Sequence, residues 1–156
     1  MTTPSAIARF PPEAFSAAVA CTGEQFAALL RSLPGEARSY RWFCADVRTN
    51  GRSPFPASSA PTDVGDTTTL ETLARSVDQF DSGVFLAVPS SVTSPMFRDN
   101  PVTDDEPGAD LGSAVLEVRA FDWSYLELAG VDAALVHDVA RKFGRSAQAP
   151  GGTAGE

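Results

Sequence analysis

Residues 113–129, SAVLEVRAFDWSYLELA, form the longest strand-like run in the sequence. Their side chains alternate in character, which is typical of a β-strand because successive side chains point to opposite faces. The first face is apolar and is predicted to face the core; it carries Leu116, Val118, Ala120, Leu126 and Leu128. The second face mixes aromatic and charged side chains, namely Val115, Glu117, Arg119, Phe121, Trp123, Tyr125 and Glu127. We therefore expect the rest of the chain to pack against the first face.

The apolar face of this run is interrupted by Asp122 and Ser124. If the strand is continuous, Asp122 points inward, where a carboxylate must be hydrogen-bonded, paired or protonated, and it becomes a candidate site residue. If the chain bends there, Asp122 is a turn residue whose side chain bonds nearby backbone. We favour a turn or a bulge, because burying the carboxylate is costly.

The aromatic side chains Phe121, Trp123 and Tyr125 on the second face have two interpretations. Aromatic side chains surrounded by charges are typical of a protein–protein interface, with a buried centre and a polar rim. Alternatively, a helix or a long loop covers this face and makes it a second core layer, since domains seldom expose large apolar patches. The sequence leaves both interpretations open.

The length and composition of the chain indicate one globular domain. A chain of 156 residues has room for one sizeable core, and 43% apolar with 21% charged residues is ordinary for a globular protein. No run of about eighteen apolar residues exists, so we expect no membrane span. Residues 1–10 contain no apolar signal-peptide segment, and we therefore expect a cytoplasmic protein.

The formal net charge of −8 argues against nucleic acid as a partner, because phosphate contacts need clustered cations and the sequence has no such cluster. An acidic surface instead favours a basic partner. Eleven of the twelve basic residues are arginine, and the chain is rich in alanine, which is typical of a bacterial protein from a GC-rich genome.

The sequence contains no glycine-rich phosphate loop, no Gly-x-Ser-x-Gly elbow and no paired metal histidines. Cys21 and Cys44 lack metal-ligand spacing, and we expect buried free thiols, although a disulfide between them stays open. His137 is expected to face solvent, and the acidic residues between Asp99 and Asp110 lack the spacing of a calcium loop. We expect no catalytic residue, no metal and no cofactor.

Three amphipathic helices are predicted from apolar stripes at spacings of three and four residues. They cover residues 22–33, 67–80 and 133–143. Capping boxes predict the first two starts, with Thr22 and Gln25 for one and Thr68 and Glu71 for the other. Asp132 is predicted to cap the third helix, which Gly144 ends.

Two further strands are predicted, at residues 40–49 and 84–88. In the first of them, Phe43, Ala45 and Val47 form the expected core face, and Asn50-Gly51 predicts a turn after it. Residues 53–65 and 89–111 are predicted to be loops, and residues 15–21 fit either a helix or a short strand.

The order of these elements predicts an α+β fold, because helices alternate with strands but the last strands are adjacent. We expect a two-layer sandwich, with a mixed or antiparallel sheet of about four to five strands and three helices packed mainly on one face. Residues 11–145 form the predicted single domain. Residues 1–10 are predicted to be a flexible N-terminus, and residues 146–156 a disordered Gly- and Ala-rich tail.

The first functional hypothesis is a non-catalytic acidic domain that binds a basic protein, in the manner of a bacterial immunity or antitoxin-type inhibitor. Its predicted partner-binding residues are Phe121, Trp123, Tyr125, Arg119, Glu127, Asp104, Asp105 and Glu106. A second hypothesis is a small ligand-binding domain or enzyme with a pocket near Asp122, Tyr125 and Trp42. A third is a structural homo-oligomer subunit that buries its aromatic strand against a second copy.

Overall fold

The computed structural model describes residues 1–122 and 124–151, which form one antiparallel sheet and three α-helices. In chain order the elements are β1 (Ala6–Phe10), α1 (Gly23–Arg31), β2 (Arg41–Asn50), β3 (Thr62–Asp66), α2 (Thr67–Arg75), β4 (Gln79–Val88), β5 (Leu116–Phe121), β6 (Tyr125–Gly130), α3 (Ala133–Lys142) and β7 (Ala147–Gln148). The sheet has seven strands in the order β3-β2-β4-β5-β6-β1-β7, and every pairing is antiparallel.

The predicted α+β class is therefore confirmed, but the sheet has seven strands rather than four to five. The additional strands are β1, β3 and β7, and each has five residues or fewer. Such short segments show too few alternations to be recognised, and their strand conformation comes from hydrogen bonds to neighbours distant in sequence. No helix of the described residues is long and apolar enough to cross a membrane.

The main core lies between the three helices and one face of the sheet. The predicted core face of the β5–β6 hairpin is confirmed, since all five of its apolar residues belong to this core: Leu116, Val118, Ala120, Leu126 and Leu128. The chain reverses between the paired residues Phe121 and Tyr125, so the predicted turn is confirmed as well, and Asp122 is exposed in it. The helices cover this face because their own apolar stripes face the sheet.

Local hydrogen bonds from side-chain caps determine where the three helices begin. The capping box of Thr22 and Gln25 forms as predicted, and the Asp132 side chain accepts from the Leu135 backbone N–H as the third cap. The second cap was predicted wrongly, because Asp66 rather than Thr68 caps α2. Sequence reasoning missed Asp66 because the preceding residues read as loop, whereas they form β3.

The predicted second helix is also too long, since α2 ends at Arg75 and Phe80 lies in β4. The Phe80 backbone N–H donates to the carbonyl of Cys21 at 2.8 Å, and Thr22 forms a bridge with Gln79. These contacts come from a segment almost sixty residues away, and they impose strand conformation on residues whose own periodicity continues the helix.

The face of β2 that contacts the helices differs from the predicted one. Trp42 and Cys44 belong to the main core, whereas Phe43 lies on the opposite face of the sheet. Val47 reaches the main core because the register of the strand shifts after Ala45. Both faces of this strand are covered, so apolar alternation alone does not tell which face meets the helices.

The prediction of a flexible N-terminus is wrong for residues 6–10, which form β1 between β6 and β7. Ala6, Ala8 and Phe10 alternate into the main core, and all five residues of the strand pair with β6. In the predicted tail, Ala147 and Gln148 pair with β1, and residues 152–156 lie outside the described residues. Residues 15–21, which fit a helix or a short strand, form neither an α-helix nor a strand, although Phe15 is the last residue of a short 3-10 helix, Pro12–Phe15.

The second face of the sheet is covered by residues 89–115, a segment without helix or strand that we call the strap. Phe97, Leu111 and Ala114 of the strap pack with Val84 and Leu86 of β4 in a second, smaller apolar cluster. The strap therefore makes this face a second interior layer, which is one of the two interpretations of the aromatic and charged face of β5.

Candidate functional site

A row of alternating charges crosses the sheet beneath the strap. Arg119 of β5, Glu127 of β6 and Arg9 of β1 are direct cross-strand neighbours. Nη2 of Arg119 donates to Oε1 of Glu127 at 2.7 Å, and Nε of Arg9 donates to Oε2 of the same carboxylate at 3.2 Å. Opposite charges on directly opposed residues stabilise a sheet, so this row contributes to the pairing of three strands.

Arg119 also connects the sheet to the strap. Its Nη1 donates to the backbone carbonyl of Thr103 at 3.0 Å and to that of Asp105. The side chain is 1% exposed, and its guanidinium lies 5.0 Å from the ring centre of Phe121. Buried in this way, the cation contacts a carboxylate, two carbonyls and an aromatic face.

Arg98 connects the strap to the sheet from the other side. Its Nη2 donates to Oε2 of Glu117 at 2.6 Å, its Nε to Oδ2 of Asp105 at 2.8 Å, and its Nη1 to the carbonyl of Asp110 at 2.9 Å. Burial raises the pKa of the Glu117 carboxyl above its usual value, although the charges of Arg98 and Arg119 act to lower it. Three arginines thus alternate with three carboxylates along one connected set of ion pairs.

These contacts correct the predicted role of two residues. Arg119 and Glu127 were predicted to form the charged rim of an exposed interface, but each is 1% exposed and paired within the protein. Phe121 and Tyr125 are half-buried, with ring centres 4.8 Å apart, and the guanidinium of Arg9 lies 4.8 Å from the Tyr125 ring centre. Trp123, the third aromatic residue of the prediction, lies outside the described residues.

The acidic residues predicted in the strap divide into two kinds. Asp104 and Glu106 are exposed, whereas the Asp105 carboxylate is turned inward to Arg98 and also accepts from the backbone N–H of Val102 at 3.0 Å. Asp105 therefore holds the strap together, whereas its neighbours Asp104 and Glu106 present their charges to solvent.

A pocket of about 410 Å³ lies where the strap meets the hairpin turn. Four carboxylates line it, those of Asp46, Asp81, Asp104 and Asp122, and the remaining lining residues are Arg48, Ser82, Val102, Thr103 and Phe121. Four negative charges against one positive charge make the pocket favourable for a cation.

Sequence reasoning found Asp104, Asp122 and Phe121 but missed Asp46 and Asp81. Asp46 adopts a φ of 55° at the β2 bulge, and its carboxylate accepts from the Thr103 backbone N–H at 2.9 Å. No local pattern connects residues 46, 81, 104 and 122, because four separate segments of the chain bring them together. A left-handed aspartate within a strand shows itself only in the structure.

The alternative pocket near Asp122, Tyr125 and Trp42 does not form as expected. Trp42 is fully buried on the helix-covered face, where its Nε1 donates to Oγ1 of Thr67 at 2.9 Å. Tyr125 pairs with Phe121 and lies on the strap-covered face. The two aromatic residues are therefore on opposite sides of the sheet.

The thiols and the histidine are not arranged as a nucleophile and its base. Cys21 and Cys44 are free and fully buried, and His137 is exposed on α3. Sγ of Cys21 lies 3.1 Å from the carbonyl of Phe121 and 3.2 Å from that of Tyr125, and burial raises its pKa to about 12. Burial likewise raises the pKa of Cys44 to about 11. Both thiols are therefore protonated at neutral pH, and the free-thiol prediction is confirmed.

Within residues 1–122 and 124–151, no group of three or more His, Cys, Asp or Glu side chains is arranged to hold a metal ion. The pocket carboxylates thus create a negative field without a metal cage. Comparisons with protein-family models, with curated proteins and with solved structures return no match to this chain.

Proposed function

We propose that this protein is a non-catalytic domain that binds a basic protein, and that the acidic pocket beside Phe121 receives a cationic side chain of that partner. The observation that supports this proposal is the convergence of four carboxylates and one aromatic ring on a single cavity of about 410 Å³. An arginine or lysine side chain offers the positive charge and the apolar stem that such a cavity accommodates.

The surroundings of the pocket favour a protein partner. Asp104 of its lining and Glu106, two residues further along the strap, are exposed, and the chain carries a net charge of −8. Such a field raises the association rate of a basic protein, while the half-buried aromatic residues at the hairpin supply contact area that limits dissociation. We expect this combination of fast association and slow dissociation in an inhibitor of the immunity or antitoxin type.

The homo-oligomer hypothesis stays a prediction, with one restriction from the fold. Strand β5 lies between β4 and β6, so both of its hydrogen-bonding edges are occupied. A second copy would have to contact the end of the hairpin, at Phe121 and Tyr125, rather than pair with the strand edge.

The test is quantitative affinity capture from native lysate with three matched baits. The first is the unmodified protein, and the second is the pocket variant Asp81→Asn/Asp104→Asn. The third is the control variant Glu24→Gln/Glu36→Gln, which removes the same charge at exposed positions distant in sequence from the pocket residues. Asp105 is left unchanged because it holds Arg98.

We expect a basic protein that the unmodified bait and the control retain, that the pocket variant loses, and that dissociates as salt rises towards about 0.5 M. All three baits must show the same thermal melt. If the pocket variant retains the same partner as the control, the pocket is not the binding site. If no basic protein is retained by any bait, the proposed class of partner is wrong.

A further inference from the structure

Charged and polar contacts provide much of the attachment of the strap to the sheet. The strap contributes only Phe97, Leu111 and Ala114 to the small apolar cluster beneath it. The main core on the other face of the sheet is much larger, with twenty-nine buried residues. Its polar attachments to the sheet include Arg98 to Glu117, the carbonyls of Thr103 and Asp105 to Arg119, the Thr103 Oγ1 to the Gly83 N–H, and the Thr103 N–H to Asp46 Oδ2. A segment with little apolar burial and no regular hydrogen bonding belongs to the least stable part of a fold.

Glu117 lies between two arginines and satisfies only one of them. Its Oε2 accepts from Arg98 Nη2 at 2.6 Å, while its Oε1 lies 3.7 Å from Arg119 Nε, beyond hydrogen-bond distance. That Nε is the one buried side-chain nitrogen or oxygen without a hydrogen-bond partner in residues 1–122 and 124–151. A buried unsatisfied donor on a charged group is costly and requires an explanation.

We propose that the strap opens from the sheet as one unit, and that Glu117 then exchanges Arg98 for the unsatisfied Nε of Arg119. Glu117 and Arg119 are two residues apart on the same face of β5, so they stay together when the strap moves away. Arg98 leaves with the strap and keeps its contacts to Asp105 and the Asp110 carbonyl, which are within the strap. Glu117, Arg98 and Arg119 therefore each have a partner in both the closed and the open state of the strap, which lowers the free energy of opening.

Opening also changes the acidic pocket, because the strap supplies Val102, Thr103 and Asp104 to its lining. The open state thus lacks one wall of the pocket, and any ligand of the closed pocket favours the closed strap. The proposal itself concerns the strap and holds whether or not the pocket binds a protein.

The first experiment is native-state amide hydrogen exchange followed by NMR on the unmodified protein. Three amides report on closure: Thr103 donates to Asp46 Oδ2, Leu111 to the Thr2 carbonyl and Gly83 to Thr103 Oγ1. We expect one shared opening free energy for these amides, clearly below that of the β5–β6 ladder. If they exchange only together with the ladder, through global unfolding, the proposal is wrong.

The second experiment uses Arg98→Met, which removes the strap partner of Glu117 but keeps an apolar stem. We expect opening to become more frequent by roughly tenfold or more, because the charge-assisted hydrogen bond that joins Arg98 of the strap to Glu117 of the sheet is lost. The control Arg41→Met removes an exposed arginine paired with Asp63 at the edge of the sheet and should leave strap exchange unchanged.

The partner exchange has its own spectroscopic signature in the same variant. The Nε–Hε resonance of Arg119 should move downfield and exchange more slowly with water, because Glu117 is free to accept from it. Unchanged strap amides together with an unchanged Arg119 signal in Arg98→Met would overturn the proposal. If this variant does not fold, the exchange pattern of the unmodified protein decides alone.

Discussion

Phe80 lies at the centre of an aromatic cluster in the main core. Its ring centre is 5.6 Å from that of Phe26, 5.9 Å from that of Phe55 and 5.6 Å from that of Phe85. The contacts with Phe26 and Phe85 are edge-to-face, and aromatic pairs of this geometry stabilise a core beyond the area that they bury. Phe80 is the last residue of the predicted second helix, residues 67–80, and it is fully buried although it belongs to β4.

Replacing Phe80 by alanine should lower the free energy of unfolding by about 3–5 kcal/mol, because a fully buried ring leaves a cavity that three neighbouring rings cannot fill. Chemical denaturation of the variant and the unmodified protein measures the difference. An unchanged denaturation midpoint would show that the aromatic cluster does not carry the stability attributed to it.

At the scale of elements, α1 and α2 pack closely because α1 begins with a glycine. A Cβ atom at Gly23 would lie 2.0 Å from the carbonyl oxygen of Ala74 and 2.1 Å from that of Val77. Both contacts are to backbone, which cannot rotate away as a side chain does. The absence of a side chain at one residue therefore decides how close the two helices come.

Gly23→Ala should destabilise the protein by about 1–3 kcal/mol, because the backbone of α2 must move to accommodate the methyl group. Gly35→Ala is the matched control, since a Cβ there meets no atom within 4 Å. Thermal or chemical denaturation should place the control within about 0.5 kcal/mol of the unmodified protein. Equal effects of the two substitutions would contradict the close packing of the helices.

The N-terminus of α2 should give the protein a measurable dependence on pH. The Thr69 backbone N–H donates to the Asp66 carboxylate and holds its pKa below the usual value. A lowered pKa in the folded state means that the cap stabilises the helix above the unfolded pKa, about 3.9, and that this contribution is lost as pH falls through the folded pKa.

Asp66→Ala should therefore cost about 1 kcal/mol at pH 7, as other N-cap substitutions do, and less at pH 3. Denaturation midpoints of both proteins at the two pH values test this expectation. If the difference in denaturation midpoint between the two proteins stays constant or grows as the pH falls, the Asp66 charge does not stabilise α2.

At the scale of the whole molecule, the two ends of the chain close one side of the sheet. Strand β1 lies between β6 and β7, and the Arg145 side chain donates to the carbonyl of Arg9 at 3.3 Å. The last helix, α3, packs against both β1 and β6. Strand β1 of the N-terminal segment therefore provides the strand edge with which β7 pairs and the surface against which α3 packs.

Deleting residues 1–10 should lower the melting temperature by more than about 10 °C or abolish cooperative unfolding. Loss of the buried Phe10 ring alone costs about 3–5 kcal/mol, and each kcal/mol corresponds to about 2–4 °C for a chain of this size. Circular dichroism on heating measures the effect. A truncated protein that melts like the full chain would restore the prediction of a flexible N-terminus.

The sequence predicted those features that depend on neighbouring residues. The Thr22–Gln25 capping box, the Asp132 cap, the apolar stripes of α1 and α3 and the apolar face of the β5–β6 hairpin formed as expected, because backbone geometry within a few residues determines them. The buried free thiols of Cys21 and Cys44 also followed from residue type.

Tertiary structure decided what depends on distant segments. It placed β1 in the sheet, ended α2 before Phe80, and turned Trp42 rather than Phe43 toward the helices. It also buried Arg119 and Glu127 under the strap, although charges are usually expected at a surface.

The candidate site shows the same division. Asp104, Asp122 and Phe121 were found from local composition, whereas Asp46 and Asp81 join them only because the bulge of β2, strand β4, the strap and the hairpin turn meet at one place. Local patterns report the preferences of a segment by itself. Burial, pairing and the assembly of a pocket are properties of pairs of segments, and the free energy that fixes them is gained only when the chain folds.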